Sequence, residues 1–88
     1  MTNGTINQVQ PTDALCDAQF LHVELADGRI VSAPLWWYPQ LLNASTTERN
    51  HIEFMPAGIL WPEIDEEISV ASLLQGQPAA GAKKPQAN

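Results

Sequence analysis

Cysteine is nearly absent from this chain: Cys16 stands alone, so neither an internal disulfide framework nor a thiolate zinc site can form within it. Basic residues are also scarce. Ten carboxylates face four lysines and arginines, and only Arg29 and Arg49 fall between Asp13 and Gln75, which leaves that stretch at −8. A body this acidic repels phosphate, which argues against direct nucleic-acid binding. The five glycines include no Gly-x-Gly-x-x-Gly or Walker spacing, so no phosphate-cradling loop is encoded. No apolar run approaches the ~20 residues of a membrane span. Met1-Thr2-Asn3-Gly4-Thr5 lacks the basic and apolar regions of a secretory signal. The expectation is a soluble cytoplasmic protein that touches neither membrane nor nucleic acid.

Eighty-eight residues allow one domain with a small core, since a chain of this size buries only about 60–65% of its unfolded surface. The polar start, residues 1–15, reads as a flexible arm. Residues 76–88, rich in Gln, Pro, Ala, Gly and Lys, read as a disordered tail, which leaves 16–75 as the folded body. Its first part is a β-hairpin. Phe20 to Leu25 alternates, Asp27-Gly28 turns, and Ile30 to Ala33 returns. A two-residue turn would set Leu25 opposite Ile30 and Val23 opposite Ser32. Leu21, Val23, Leu25 and Ile30 would then share the core face, with His22 and Glu24 on the other. Pro34 ends the second strand. Pro39 suits the first turn of a helix capped near Tyr38, and Ser45-Thr46-Thr47-Glu48 has the form of a capping box for another. His51 to Met55 and Ile59 to Trp61 read as two more strands, the latter stopped by Pro62. Ser69 caps a last helix from Val70 to Leu74, with Gly76 as its stop. The order β-β-α-α-β-β-α predicts a small α+β domain, an antiparallel sheet of about four strands with short helices on one face.

Candidate chemistry is sparse. Glu63, Asp65, Glu66 and Glu67 lack the acid spacing and central glycine of a calcium loop. They read instead as a solvated acidic turn at the start of a helix, and no metal or cofactor is expected. His22 and His51 could serve as bases, and Ser32, Ser45 or Cys16 as nucleophiles. No motif sets any of these beside another, so no catalytic residue is assigned. Trp36, Trp37, Tyr38 and Trp61 are the notable aromatics. Trp61 and one of Trp36 and Trp37 should fill the core. The other, exposed near the acidic turn, would anchor a protein partner.

The same stretches resemble the small bacterial family known as "domain of unknown function 2442". The resemblance runs from about Phe20 to Gly76, through Asp27-Gly28-Arg29, Pro34 to Ala44 (Pro-Leu-x-Trp-Tyr/Phe-Pro-x-Leu-Leu-x-Ala), Arg49, and Gly58 to Leu74 (Gly-Ile-x-Trp-Pro…Ile-Ser-Val-x-x-Leu-Leu). Gln40, Leu60 and Glu67 depart from residues common in the family. The resemblance implies an α+β domain, found alone or ahead of a helix-turn-helix domain and often encoded beside another short protein in a toxin–antitoxin-like arrangement. It implies no catalytic residues. With only about twelve residues after Gly76, no helix-turn-helix is expected here.

The resulting expectation is a non-enzymatic, antitoxin-like or regulatory interaction protein. Trp36, Trp37, Glu63, Asp65, Glu66 and Glu67 would contact a basic protein partner, an association strengthened at low salt. A nucleic-acid mimic that blocks a defence nuclease and a small-ligand-binding domain are the alternatives. An edge strand or exposed tryptophan would also allow pairing with a second copy.

Overall fold

A computed structural model describes residues 9–84. Two antiparallel sheets of three strands each form an α+β domain. The first sheet comprises β1 (Pro11–Cys16), β2 (Phe20–Leu25) and β3 (Ile30–Pro34), with β2 in the centre. A 3-10 turn (Leu35–Trp37), α1 (Pro39–Leu42) and α2 (Thr46–Asn50) cross to the second sheet. That sheet contains β4 (Glu53–Met55), β5 (Gly58–Trp61) and β6 (Glu66–Ser69), with β5 central, and α3 (Val70–Gln75) follows. β1 lies beside β4, and α3 lies against β3. The inner faces meet in one core, where Leu21, Val23 and Leu25 of β2 pack with Leu35, Leu41, Ile59 and Trp61.

Local signals place most elements. Pro39 occupies the first turn of α1 with Tyr38 at its N-cap. The Ser45 hydroxyl accepts from the Glu48 N–H (3.1 Å) while the Glu48 carboxylate accepts from the Ser45 N–H (2.8 Å), which completes the capping box. Ser69 caps α3, and Gly76 ends it in a left-handed conformation at φ 75° while the Gln77 N–H closes on the Ser72 carbonyl.

The hairpin register differs from expectation by one residue. The Gly28 N–H donates to Leu25 O (2.9 Å) and the Leu25 N–H to Arg29 O (2.8 Å), with Gly28 at φ 93°. This is a three-residue loop closed by a glycine bulge, not a two-residue turn. Glu24 therefore pairs with Ile30, Val23 with Val31 and His22 with Ser32. Because strand side chains alternate, Ile30 moves from the predicted core face to solvent and Ala33 takes a core position.

Two strands were not foreseen, and they turn the expected four-stranded sheet into two three-stranded ones. Pro11–Cys16, of which all but Cys16 was expected to belong to the flexible arm, pairs with β2 around a bulge between Pro11 and Asp13. Its large apolar residue, Leu15, faces outward, so the strand shows no apolar alternation. Glu66–Ser69 pairs with β5, so the acidic segment is a hairpin loop and a strand rather than a helix start. The segment beyond Gly76, expected to be disordered, folds back: the Ala79 N–H donates to the Trp37 carbonyl at 2.9 Å. The rest of the expected arm and tail, residues 1–8 and 85–88, lies outside the described residues. No helix among those described is long and apolar enough to cross a membrane.

Candidate functional site

The most distinctive surface is the outer face of the first sheet. Alternation along β2 sends Leu21, Val23 and Leu25 inward and Phe20, His22 and Glu24 outward. The register then sets three rows across the strands: Asp13–Glu24–Ile30, Leu15–His22–Ser32, and Phe20–Pro34. Leu15 is 61% exposed, Ile30 66% and Phe20 39%. Three large apolar side chains on one solvated face exceed the scatter of single exposed residues. Asp13 and Glu24 stand directly opposite each other, an arrangement of like charges that weakens a sheet. They border a depression of about 180 Å³ with Leu15, His22 and Ile30.

The two arginines of the body are engaged elsewhere. The Arg29 Nε donates to the Asp27 carboxylate at 2.7 Å. The Arg49 guanidinium donates to the carbonyls of Leu41 (3.1 Å) and Leu42 (2.8 Å), where it closes the end of α1. Among the described residues no salt bridge reaches Asp13 or Glu24.

Through the middle of this face runs a line of polar contacts that the sequence reading did not join. One Asp17 oxygen accepts from the N–H groups of Gln19 (2.8 Å) and Phe20 (2.7 Å), and the other lies 2.8 Å from His22 Nε2. The His22 hydrogen bond, followed by the two backbone donors, holds the Asp17 carboxyl down at about 2. In the neutral imidazole that donates Nε2–H to Asp17, Nδ1 would accept from the Ser32 hydroxyl 2.6 Å away. The order acid, imidazole, hydroxyl matches a nucleophile-activating relay. Here it lies on an open sheet face, where water competes for every group and the field of a dry cleft is missing. Its evident effect is to fix the β1–β2 turn and the His22 ring. Phe20 leans on that ring with centroids 6.1 Å apart.

The residues expected to form the partner site are distributed differently. Trp36 and Trp37 are both half-buried. Trp36 lines a groove of about 330 Å³ with Phe20, Pro34 and Leu42, whereas Trp37 packs on the core and is covered by the segment at Gly76 and Ala79. Glu63 pairs with His51 at 3.0 Å. Asp65 closes the β5–β6 loop at φ 55°, a left-handed conformation that aspartate tolerates better than most residues. Glu67 faces outward opposite Leu60. Glu66 shares the inward side of β6 with Ile68 and is half-buried beside Tyr38 and Ser72. Burial, then the neighbouring Asp65 charge, raises its carboxyl above the ordinary value. No group of three or more metal-ligating side chains occurs among the described residues.

Asp13, Leu15, Asp17 and Ile30 were missed as site residues, and Ser32 stood only as an isolated candidate hydroxyl. The loop length at Asp27-Gly28 decides that Ile30 and Ser32 face outward, whereas Asp13 and Leu15 are placed by the pairing of β1 with β2.

Fold and surface together define a small two-sheet α+β domain with an acidic, partly apolar sheet face. The chain belongs to the family described as "Protein of unknown function (DUF2442)", whose model matches residues 11–79. Those bounds coincide with the start of β1 and the Ala79–Trp37 contact. The fold is similar to that of a protein of unknown function from Rhodospirillum rubrum ATCC 11170, solved by crystallography at 2.75 Å. The TM-score is 0.72 at 22% identity, over 86% of this chain and 96% of that one, and the likeness shows a shared fold. A comparison with curated proteins returns no match.

Proposed function

We propose that this domain is a non-catalytic protein-binding module whose contact surface is the outer face of the first sheet, and that its partner presents basic residues. The observation that carries this reading is the coincidence of exposed Leu15, Phe20 and Ile30 with the opposed carboxylates Asp13 and Glu24. The apolar side chains lose water on docking, and lysine or arginine from the partner relieves the repulsion between the acids. A second copy of the chain fits poorly there, since it would add two more carboxylates to the pair. An antitoxin-like or regulatory accessory subunit is the kind of protein such a module would make.

The test is capture of partners from the native host with the tagged wild type and with Asp13→Lys/Glu24→Lys, washed at low and high salt. The reading expects a basic protein held by the wild type, released by high salt and absent from the double variant. Asp65→Lys/Glu67→Lys serves as the comparison. Loss of the partner with that change alone would move the contact to the β5–β6 hairpin. Retention in Asp13→Lys/Glu24→Lys would end the sheet-face reading.

A further inference from the structure

We infer that His22 is a proton switch for the contact face: with the ring neutral the face holds a basic partner, and protonation of the ring releases it. The inference rests on the sheet-face reading above and adds its regulation.

His22 stands at the centre of that face, in the row Leu15–His22–Ser32, and borders the depression lined by Asp13 and Glu24. Both ring nitrogens are engaged: Nε2 lies 2.8 Å from the Asp17 carboxylate and Nδ1 2.6 Å from the Ser32 hydroxyl. The side chain is 35% exposed, so protons reach it from solvent. Each neighbouring element contributes to its surroundings. The β1–β2 turn supplies Asp17, the charged group in contact with the ring. β1 supplies Leu15 and, one row further, Asp13; β2 itself supplies Phe20 and Glu24. β3 supplies Ser32 and Ile30 and no charge, and Arg29 before it is held by Asp27. One imidazole thus sits among three carboxylates.

Histidine is the side chain whose charge ordinarily changes near neutrality. In the neutral ring that donates Nε2–H to Asp17, Nδ1 accepts from the Ser32 hydroxyl, whose oxygen then offers a free lone pair to an incoming donor. A proton taken from solvent at Nδ1 makes both ring nitrogens donors. Ser32 must then accept from Nδ1–H, and its own hydrogen turns away from the ring. The face gains a positive charge between its carboxylates and presents a donor where it presented an acceptor. Lysine and arginine carry donors only, so a basic partner loses on both counts. Asp17, held at about 2, keeps its charge throughout this range and anchors the ring in both states.

The experiment titrates the full-length protein with the peptide acetyl-Lys-Leu-Lys-Leu-Lys-amide at about pH 8 and about pH 5.5, at one ionic strength. The backbone amides of Leu15, Glu24 and Ile30 report binding by NMR, and the His22 Cε1 proton reports the state of the ring. The peptide's lysines stay charged at both values. The expected result is affinity about fivefold weaker at the lower pH, the worth of one charge near a protein surface. Its midpoint should coincide with the titration of the His22 ring. His22→Gln keeps a donor and an acceptor without a titrating group, and its affinity should be the same at both values. His51, paired with Glu63, remains in that variant as an internal control. Equal wild-type affinity at the two values, a midpoint displaced from that of the ring, or the same fall in His22→Gln overturns the switch and leaves the contact face standing. No saturable binding at the higher pH overturns the contact-face reading itself, and the switch with it.

Discussion

At the scale of single residues, several positions are explained by close backbone approach or an unmet polar need. Gly58 is the sharpest case: a Cβ there would lie 2.8 Å from the Ile68 carbonyl oxygen of the neighbouring strand. Gly58→Ala must push β5 and β6 apart, and chemical denaturation should show a loss of about 1–3 kcal/mol. Tyr38 behaves in the opposite sense. Removing its unpartnered hydroxyl in Tyr38→Phe should leave packing intact and raise stability by about 1 kcal/mol, read by the same denaturation curve. Glu66 adds a pH signature. A carboxyl raised by burial destabilises the fold once it ionises, so its cost is absent below the ordinary value of 4.5 and grows as pH rises through its folded value. Glu66→Gln should therefore raise Tm at neutral pH, and the difference from wild type should vanish near pH 4. A gain that persists unchanged into acid would contradict this account.

At the scale of elements, the recurring family residues prove to be fold-keepers. Arg49 on α2 donates to two carbonyls at the end of α1, and its own carbonyl accepts the indole N–H of fully buried Trp61 at 3.0 Å. One residue thus joins α1, α2 and β5. Arg49→Ala should lower stability by about 1.5–3 kcal/mol, the range for hydrogen bonds from a charged donor, and lysine should restore only part because it lacks the forked geometry. Thermal melts of the three proteins would check the order. Similarly, Asp27-Gly28-Arg29 is a hairpin loop, and Gly58 and Trp61 set the spacing and centre of the second sheet. These motifs account for much of the architecture. The proposed contact face, with Leu15 and Ile30 exposed, lies largely outside them.

At the scale of the whole molecule, charge sets the response to acid. Asp17 is held at about 2 against an ordinary 3.8, chiefly by His22 and then by the Gln19 and Phe20 N–H groups. A depressed carboxyl stabilises the fold above its ordinary value and loses that contribution as pH falls through its folded value. Acid unfolding of the wild type should thus steepen between about pH 4 and 2. Asp17→Asn should start less stable at neutral pH and show a shallower fall in that window, followed by circular dichroism. Much of the architecture was legible in the chain because its causes are local. The Ser45–Glu48 box, Pro39, Pro62, Ser69 and Gly76 act through neighbouring backbone groups, and the alternation of Phe20 to Leu25 names its own buried face. The α+β class follows from those signals alone. Other features depended on partners distant in sequence. β1 and β6 are strands because β2 and β5 offer free hydrogen-bonding edges, not because Pro11–Cys16 or Glu66–Ser69 carry an apolar alternation. The loop at Gly28 took three residues instead of two, and that one-residue difference decided whether Ile30 faced core or solvent. By itself the sequence determined where helices start and stop and which side of β2 is buried. Tertiary pairing decided which acids stand opposite each other, which hydroxyl meets His22, and that Tyr38 and Glu66 share one cavity, because side-chain proximity across strands is set by register and not by spacing along the chain.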